Sequence, residues 1–404
     1  MENSKIIKDF IKKNDGILKV KPAWVAKTFL YAGKRLGLPD SQYDCGNGAQ
    51  IMERWLCSVT KADSQIEKED EGLSYLDIPD KKITVKDAIA ECPEILGLEY
   101  SKKHNTLDYL IKLFDYGCRL PYHIHQRQQD LNTQGKHSKD EAYHFLDAGP
   151  GTHPETYIGV LPYLVKKNLQ YKTFEPLLKE WKASDKDILK YSRAYYCAPG
   201  EGFYLKSGLL HAPGSVLTFE LQESSDVAGI FQPMVEDNPV PKSSLTKDVA
   251  PEDIKKYGPE MASLRQIDWE TNIDPDFYDK YHLYPRKCTK TEQNGIFESW
   301  IFYGTNQFSG KRLILKKGQT FFSKENGVHN IFVWKGKGTI GSIKVAAGKQ
   351  TLTSCEDEVL VCYDRAISGY KIVNEGNEDL IIFKIFGPDI NNEDAPKKIE
   401  QGLE

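Results

Sequence analysis

Short apolar runs, separated by glycine, proline, asparagine and aspartate, recur along most of the chain. From about residue 117 to 234, runs such as RLPYHIH, AYHFLDAG and SVLTFELQ follow this pattern. A second series extends from about 294 to 388 and includes KRLILKKG, DEVLVCYD and LIIFKIFG. Strands of four to eight residues bounded by such turn residues are typical of antiparallel sandwiches and barrels. The pattern therefore predicts a mainly β protein.

Two segments have a helical pattern instead. Residues 83–97 place apolar side chains at helical spacing, and Thr84 precedes Asp87 as an N-cap would. Residues 175–195 form a charged amphipathic stretch between strand-like runs. Such a stretch is typical of a helix with one buried face. We therefore predict helical additions to the first β-rich region.

The composition between the two series predicts a division into domains. The 404 residues are enough for two hydrophobic cores. Residues 236–290 contain six prolines, many charges and few apolar runs, which is typical of a linker or surface strap. We expect a first β domain over 1–235, this strap, a second β domain over 291–392, and a frayed polar tail over 393–404.

Charge and composition exclude several classes of protein. Lysine and arginine number 54 against 58 aspartates and glutamates, and this net charge of −4 argues against a general nucleic-acid binder. We find no apolar run of the roughly 18 residues needed to span a bilayer, and no secretion signal at the start. The eight cysteines include no C-x-x-C pair and indicate thiols in a reducing compartment. We expect a cytoplasmic protein without a nucleic-acid or membrane partner.

Histidine is concentrated in one part of the chain, with five of the nine between residues 123 and 153. His123 and His125 are two apart on a predicted strand, so their side chains share one face. Glu141 begins the next strand-like run, and His211 follows a turn glycine on another. Three imidazoles and one carboxylate on adjacent strands are typical of a cupin metal site. These four residues are therefore predicted to bind one divalent metal ion.

The other histidines lack this pattern. His144 lies an odd number of residues from Glu141, so it should point to the opposite face and be structural. His153 lies in a turn-like segment. His329 stands alone in the second series, so we expect no metal in the second domain.

Several short stretches between about residues 50 and 230 are similar to sequence motifs of a known protein family. They are ERWLCS (53–58), LIKLFDYGCRLPYHIHQ (110–126), Lys139-Asp140-Glu141, KSGLLHA (206–212), Glu220 and Ser225-Asp226. Together they resemble the type I mannose-6-phosphate isomerases, a zinc-dependent cupin family. The resemblance implies two cupin-type, jelly-roll β-sandwich domains with a helical insertion in the first. It also implies a zinc ion at the predicted ligands and a substrate-site role for Lys139.

The chain departs from the family pattern at three places. The family writes its ligand pair Q-x-H, whereas His123 here gives a three-histidine, one-glutamate set that other cupins use for iron or manganese. The family's H-P-x-D becomes residues 125–128, His-Gln-Arg-Gln. Ile230 stands where the family has an arginine, which removes a cation suited to a phosphate group. The cations that could replace it are Arg127, Lys136 and Lys139.

The resemblance implies a metal-dependent aldose–ketose isomerase acting on a hexose or hexose phosphate through an enediol. The metal, zinc or alternatively iron or manganese, would stabilise the negative charge that develops on the oxygens. Candidate acid/base residues are Lys139, Asp226 and His137. Candidate substrate-binding residues are Arg127, Lys136 and Glu220. An iron or manganese oxygenase and a non-catalytic, metal-dependent sugar-binding protein remain alternatives.

Overall fold

The computed structural model describes residues 2–28, 30–63, 66, 68–149, 151–182, 186–291 and 293–397. Antiparallel strands dominate these residues, and the prediction of a mainly β fold is confirmed. The strands of the first half are β1 (Ile17–Lys21), β2 (Ala23–Lys27), β3 (Asp44–Gly46), β4 (Ala49–Leu56), β5 (Tyr75–Leu76), β6 (Tyr109–Phe114), β7 (His123–Ile124), β8 (Glu141–Phe145), β9 (Glu155–Val160), β10 (Ser192–Tyr196), β11 (Gly202–Leu205), β12 (His211–Ala212), β13 (Thr218–Glu223), β14 (Gly229–Ile230), β15 (Met234–Val235) and β16 (Asn238–Pro239).

The later strands and the helices complete the element order. The later strands are β17 (His282–Leu283), β18 (Arg286–Lys287), β19 (Ile296–Phe302), β20 (Ser309–Leu315), β21 (Thr320–Ser323), β22 (His329–Lys335), β23 (Lys337–Ile340), β24 (Ile343–Ala346), β25 (Glu358–Val361), β26 (Tyr370–Asn374) and β27 (Leu380–Phe386). The α-helices are α1 (Glu2–Lys13), α2 (Val85–Glu91), α3 (Gln128–Leu131), α4 (Tyr163–Lys166), α5 (Gln170–Glu180), α6 (Lys186–Leu189), α7 (Pro251–Tyr257), α8 (Pro259–Arg265), α9 (Trp269–Asn272), α10 (Phe277–Tyr281) and α11 (Tyr363–Ser368). Within the described ranges, we find no helix long and apolar enough to cross a membrane.

Five antiparallel sheets organise the strands of the described residues. Sheet I has the order β17-β11-β8-β13-β6-β4-β2, with β3 paired to β4, and sheet II has the order β10-β9-β12-β7-β14. Sheet III has the order β18-β19-β20-β27-β22-β25-β1-β5, sheet IV has the order β21-β26-β23-β24, and β15 pairs with β16 in a two-stranded sheet. The strands of sheet II all belong to the first β series and those of sheet IV to the second, whereas sheet I combines strands of the first series with earlier strands and with β17.

Sheet III takes strands from both ends of the chain. Strand β1 lies between β25 and β5, with Leu18 opposite Leu360 and Val20 opposite Leu76. All four of these side chains are buried. The division at residue 235 stays a prediction, and the N-terminal segment nevertheless completes a sheet of the C-terminal half.

Side chains alternate along a strand, so neighbouring residues of sheet I point to opposite faces. One face packs against sheet III, and the other faces the candidate site. On β13, Phe219 stacks on Phe383 of β27, with ring centroids 4.7 Å apart. His144 on β8 packs edge-on against the same Phe383 ring at 5.5 Å, as expected for a structural histidine. Glu220, the next residue after Phe219, therefore points to the opposite face, where the candidate site lies.

Helices form where predicted, with different bounds. Thr84 Oγ accepts a hydrogen bond from the Asp87 backbone amide and caps α2. Helix α2 ends at Glu91, because Pro93 cannot continue it. The insertion predicted over 175–195 begins earlier, at Gln170 in α5, and its last residues form β10 instead. The segment 236–290, predicted as a strap, contains helices α7 to α10.

Candidate metal and substrate site

Three histidines meet between sheets I and II. His123 of β7 and His211 of β12 are direct pairing partners, and His125 comes immediately after β7, two residues beyond His123 on the same face. The three rings lie 4.1 to 5.2 Å apart between centroids, and all are buried. Their potential ligand nitrogens all lie within 4.8 Å of one another. The structure thus brings together the three imidazoles that the H-x-H pattern and His211 predicted.

The backbone fixes the orientation of each ring. Each Nδ1 donates a hydrogen bond to a main-chain carbonyl, which can only accept. The pairs are His123 with Pro121 at 2.7 Å, His125 with Val227 at 2.7 Å, and His211 with Leu209 at 2.8 Å. In a neutral ring, the remaining Nε2 then carries a lone pair. This arrangement is typical of metal-ligating histidines, whose other nitrogen is held by a hydrogen bond.

Glu141 brings a carboxylate to the same point from β8. Its Oε1 lies 3.0 Å from His211 Nε2, and its Oε2 lies 3.1 Å from His125 Nε2. The hydroxyl group of Tyr143 donates a hydrogen bond to Oε1 of Glu141. Among the described residues, neither Nε2 has a hydrogen-bond partner. Lone pairs on buried nitrogens thus face carboxylate oxygens, an arrangement that a divalent cation would satisfy.

The protonation of these groups suits metal binding. Burial lowers the pKa of His125 to about 4, with Lys139 adding to the effect, so the ring is neutral at pH 7. Burial also holds the pKa of His123 well below its usual value. Burial alone would raise the pKa of Glu141, but Lys139 and His125 hold it well below the ordinary range. Neutral imidazoles and an ionised carboxylate are the forms that bind metals.

A buried lysine links Glu141 to a second carboxylate. The Nζ of Lys139 lies 3.0 Å from Glu141 Oε2 and 3.6 Å from Glu220 Oε1. Burial raises the pKa of Glu220 to about 7, although Lys139 opposes this shift. The Oε1 of Glu220 has no hydrogen-bond partner in the described part of the chain. Lys139 and Glu220 are therefore placed to exchange a proton with a ligand.

A second lysine–carboxylate group lies beside the first. The Nζ of Lys112 is 3.6 Å from Asp226 Oδ1 and 4.0 Å from Glu53 Oε2. Burial would raise the pKa of Asp226, but Lys112, Lys27 and Lys139 together hold it far below its usual value. Asp226 is therefore an ionised carboxylate at neutral pH.

These groups line one cavity of about 440 Å³. Lysines and carboxylates cover one part of its wall, and apolar side chains cover another. The charged lining residues are Lys27, Glu53, Asp63, Lys112, Lys139, Glu141, Glu220, Asp226 and Lys247. The apolar lining residues include Leu120, Pro121, Pro213, Ile230, Val240 and Pro241. A cavity with both kinds of wall suits a small polar ligand that also has an apolar face.

Three predicted site residues lie elsewhere. His137 does not line the cavity: its side chain is 62% exposed, and its Nδ1 lies 3.8 Å from Glu223. The guanidinium of Arg127 is held by the carboxylate of Asp130, at 2.8 Å between Nε and Oδ2, and by a backbone carbonyl of α8. Lys136 pairs with Asp248, at 2.5 Å between Nζ and Oδ1. With these acidic partners, neither Arg127 nor Lys136 is among the residues that line the cavity.

Five charged residues of the cavity were not among the predicted site residues. They are Lys27, Glu53, Asp63, Lys112 and Lys247. Lys112 could have been found from the sequence, because it is the one charged residue in the apolar run YLIKLF. Such a residue in a buried strand indicates a polar site on the face to which it points. Lys27 ends the fully buried strand β2, which is a similar signal. Lys247 lies in the predicted strap, where it could not be distinguished from the many other charged residues.

The chain is similar to known proteins in its three-dimensional structure. Neither a protein-family model nor a curated protein matches the sequence. The mannose 6-phosphate isomerase from Bacillus subtilis is 15% identical, with a TM-score of 0.59 over 92% of this chain and 99% of that one. A mutant of phosphomannose isomerase from Salmonella typhimurium is 11% identical, with a TM-score of 0.57 over 91% of this chain and 99% of that one. At these identities the likeness shows a shared fold.

Proposed function

We propose that the protein is a metal-dependent aldose–ketose isomerase acting on a hexose or hexose phosphate of the mannose and fructose type. One observation carries this proposal. Three histidines with tethered Nδ1 atoms meet the carboxylate of Glu141. His123, His125 and Glu141 line a cavity that also holds a buried lysine, Lys139, between two carboxylates. The structural neighbours named as mannose 6-phosphate isomerases support it at the level of the fold.

The proposed ligands of the metal are His123, His125, Glu141 and His211. Their nitrogen and oxygen donors fit zinc, with iron and manganese as alternatives. When bound, such a metal acts as a Lewis acid that polarises a substrate carbonyl. The hydrogen bonds from each Nδ1 to the backbone keep the rings in the ligating orientation without the metal.

Lys139 and Asp226 are the proposed acid/base group, with Glu220 beside Lys139 as a proton relay. Isomerisation requires a proton to leave the carbon next to the carbonyl and to return on the neighbouring carbon. Asp226 is ionised and can accept a proton, whereas Glu220, with a pKa of about 7, can both donate and accept one near neutral pH. Lys139 Nζ can donate to a developing oxyanion, which lowers the barrier to proton removal.

The lining of the cavity supports a sugar as the ligand. Hydroxyl groups can donate to carboxylates such as Glu53 and accept from ammonium groups such as Lys112. The C–H groups of a sugar ring can pack against Leu120, Ile230 and Val240. The partner proposed for this protein is therefore a small sugar or sugar phosphate.

An isomerisation assay tests the proposed function. The metal-depleted protein is reloaded with zinc, manganese or iron(II) and incubated with mannose, fructose and their 6-phosphates, and products are followed by NMR. We expect interconversion with at least one metal and none for His211→Ala, which lacks one ligand. Oxygen consumption with substrate loss would point to an oxygenase. Sugar binding without interconversion under every metal would indicate a binding protein instead.

A further inference from the structure

Three of the four lysines among the described lining residues already form ion pairs with carboxylates. Lys139 lies between Glu141 and Glu220, and Lys112 lies between Glu53 and Asp226. Each ammonium group therefore already has carboxylates to neutralise it, so neither offers an unpaired positive charge to a ligand.

The same holds towards the mouth of the cavity. The Nζ of Lys247 lies 2.6 Å from Asp63 Oδ2. Lys27 is close enough to Glu53 and Asp226 to lower the pKa of both carboxyl groups. Four lysines thus share the lining with five carboxylates, and none of the described lining residues is an arginine. A phosphate dianion entering this cavity would meet carboxylates beside Lys112, Lys139 and Lys247.

Cations outside the cavity do not compensate. Arg127 is held by Asp130 and a backbone carbonyl, and Lys136 is held by Asp248. The apolar lining adds no hydrogen-bond donor, because Ile230, Val240 and Pro241 occupy it. A phosphate group binds well where it receives charge-assisted hydrogen bonds from groups that are free to make them.

We propose that the substrate is a free sugar without a phosphate group. This inference rests on the proposed function, which supplies the reaction. The paired charges of the cavity supply the reason for a substrate without a phosphate group. Alternating ammonium and carboxylate groups match neighbouring hydroxyls, which both donate and accept hydrogen bonds. A neutral sugar can use these pairs without separating them, whereas a phosphate would compete with carboxylates for Lys112, Lys139 and Lys247.

Parallel measurements on the full-length, zinc- or manganese-loaded protein test this inference. Turnover of mannose and of mannose 6-phosphate gives kcat/KM for each, and calorimetry gives the dissociation constant of each. We expect mannose to be preferred at least tenfold in both measurements. Equal or tighter binding of mannose 6-phosphate, or binding of neither compound, overturns the inference. Absence of turnover with preferred mannose binding overturns the isomerase proposal alone.

A charge-removing variant tests the reason for the preference. Asp63→Asn frees the Lys247 ammonium at the mouth, and the control Asp147→Asn removes a carboxylate whose side chain is 77% exposed. One released charge-assisted hydrogen bond should raise the affinity for mannose 6-phosphate relative to mannose about tenfold. The control should leave that ratio at the wild-type value. An unchanged ratio in Asp63→Asn would overturn the argument from paired charges.

Discussion

Replacing Lys139 by methionine removes a positive charge from the candidate site and keeps an unbranched side chain that is one heavy atom shorter. Lys139 is 5% exposed, and its Nζ lies 3.0 Å from Glu141 and 3.6 Å from Glu220. Loss of a positioned acid or base typically lowers a rate by 10² to 10⁴-fold, or about 3 to 5 kcal/mol of transition-state stabilisation. We therefore expect kcat/KM for the sugar substrate to fall by at least about 100-fold, with most of the change in kcat.

The assay must separate chemistry from folding, because breaking a buried ion pair costs about 3 to 5 kcal/mol. Metal content and the thermal midpoint are therefore measured beside the kinetics. Lys102→Met is a matched control, since that side chain is 69% exposed and pairs with Glu99 at the surface. A folded, metal-loaded Lys139→Met protein with wild-type kcat would refute the role given to Lys139. A change confined to KM would assign it to substrate binding alone.

Two further predictions concern stability. Arg54 of β4 donates hydrogen bonds to Asp357 at 2.6 and 2.8 Å and to Glu358 at 3.0 Å. Arg54→Met should therefore lower the free energy of unfolding, measured with urea, by about 3 to 5 kcal/mol. An unchanged urea midpoint would contradict this prediction. Burial lowers the pKa of His144 to about 3, so below about pH 6.5 the unfolded chain binds a proton that the folded one does not. The free energy of unfolding should fall from pH 6.5 towards 3, and less steeply in His144→Phe; equal slopes would refute this assignment.

Local patterns were sufficient for the strands and for the arrangement of the candidate ligands. Alternation placed His123 and His125 on one face, and the odd spacing of His144 from Glu141 placed it on the other, against Phe383. The fold class followed from the same alternation and the turn residues. These features are set by neighbours in the sequence, which is why sequence analysis could reach them.

Features that depend on distant residues were beyond local patterns. The pairing of β1 with β25 depends on contacts such as Leu18 with Leu360, more than 300 residues apart in the chain. Arg127 and Lys136 lie close to the ligands in sequence, but Asp130 and Asp248 hold them away from the cavity. Of the four lysines among the described residues that line the cavity, Lys139 was a predicted site residue, whereas Lys27, Lys112 and Lys247 were not.

The proposed metal-dependent isomerase activity is tested most directly by following the interconversion of mannose and fructose by NMR before and after removal of the metal. We expect a chelator to stop the interconversion and about one equivalent of zinc, manganese or iron(II) per chain to restore it. The same metal should fail to restore activity in His211→Ala. Interconversion that survives complete removal of the metal would show that the reaction does not depend on it. Its absence with every metal, on both the free and the phosphorylated sugars, would contradict the proposed activity.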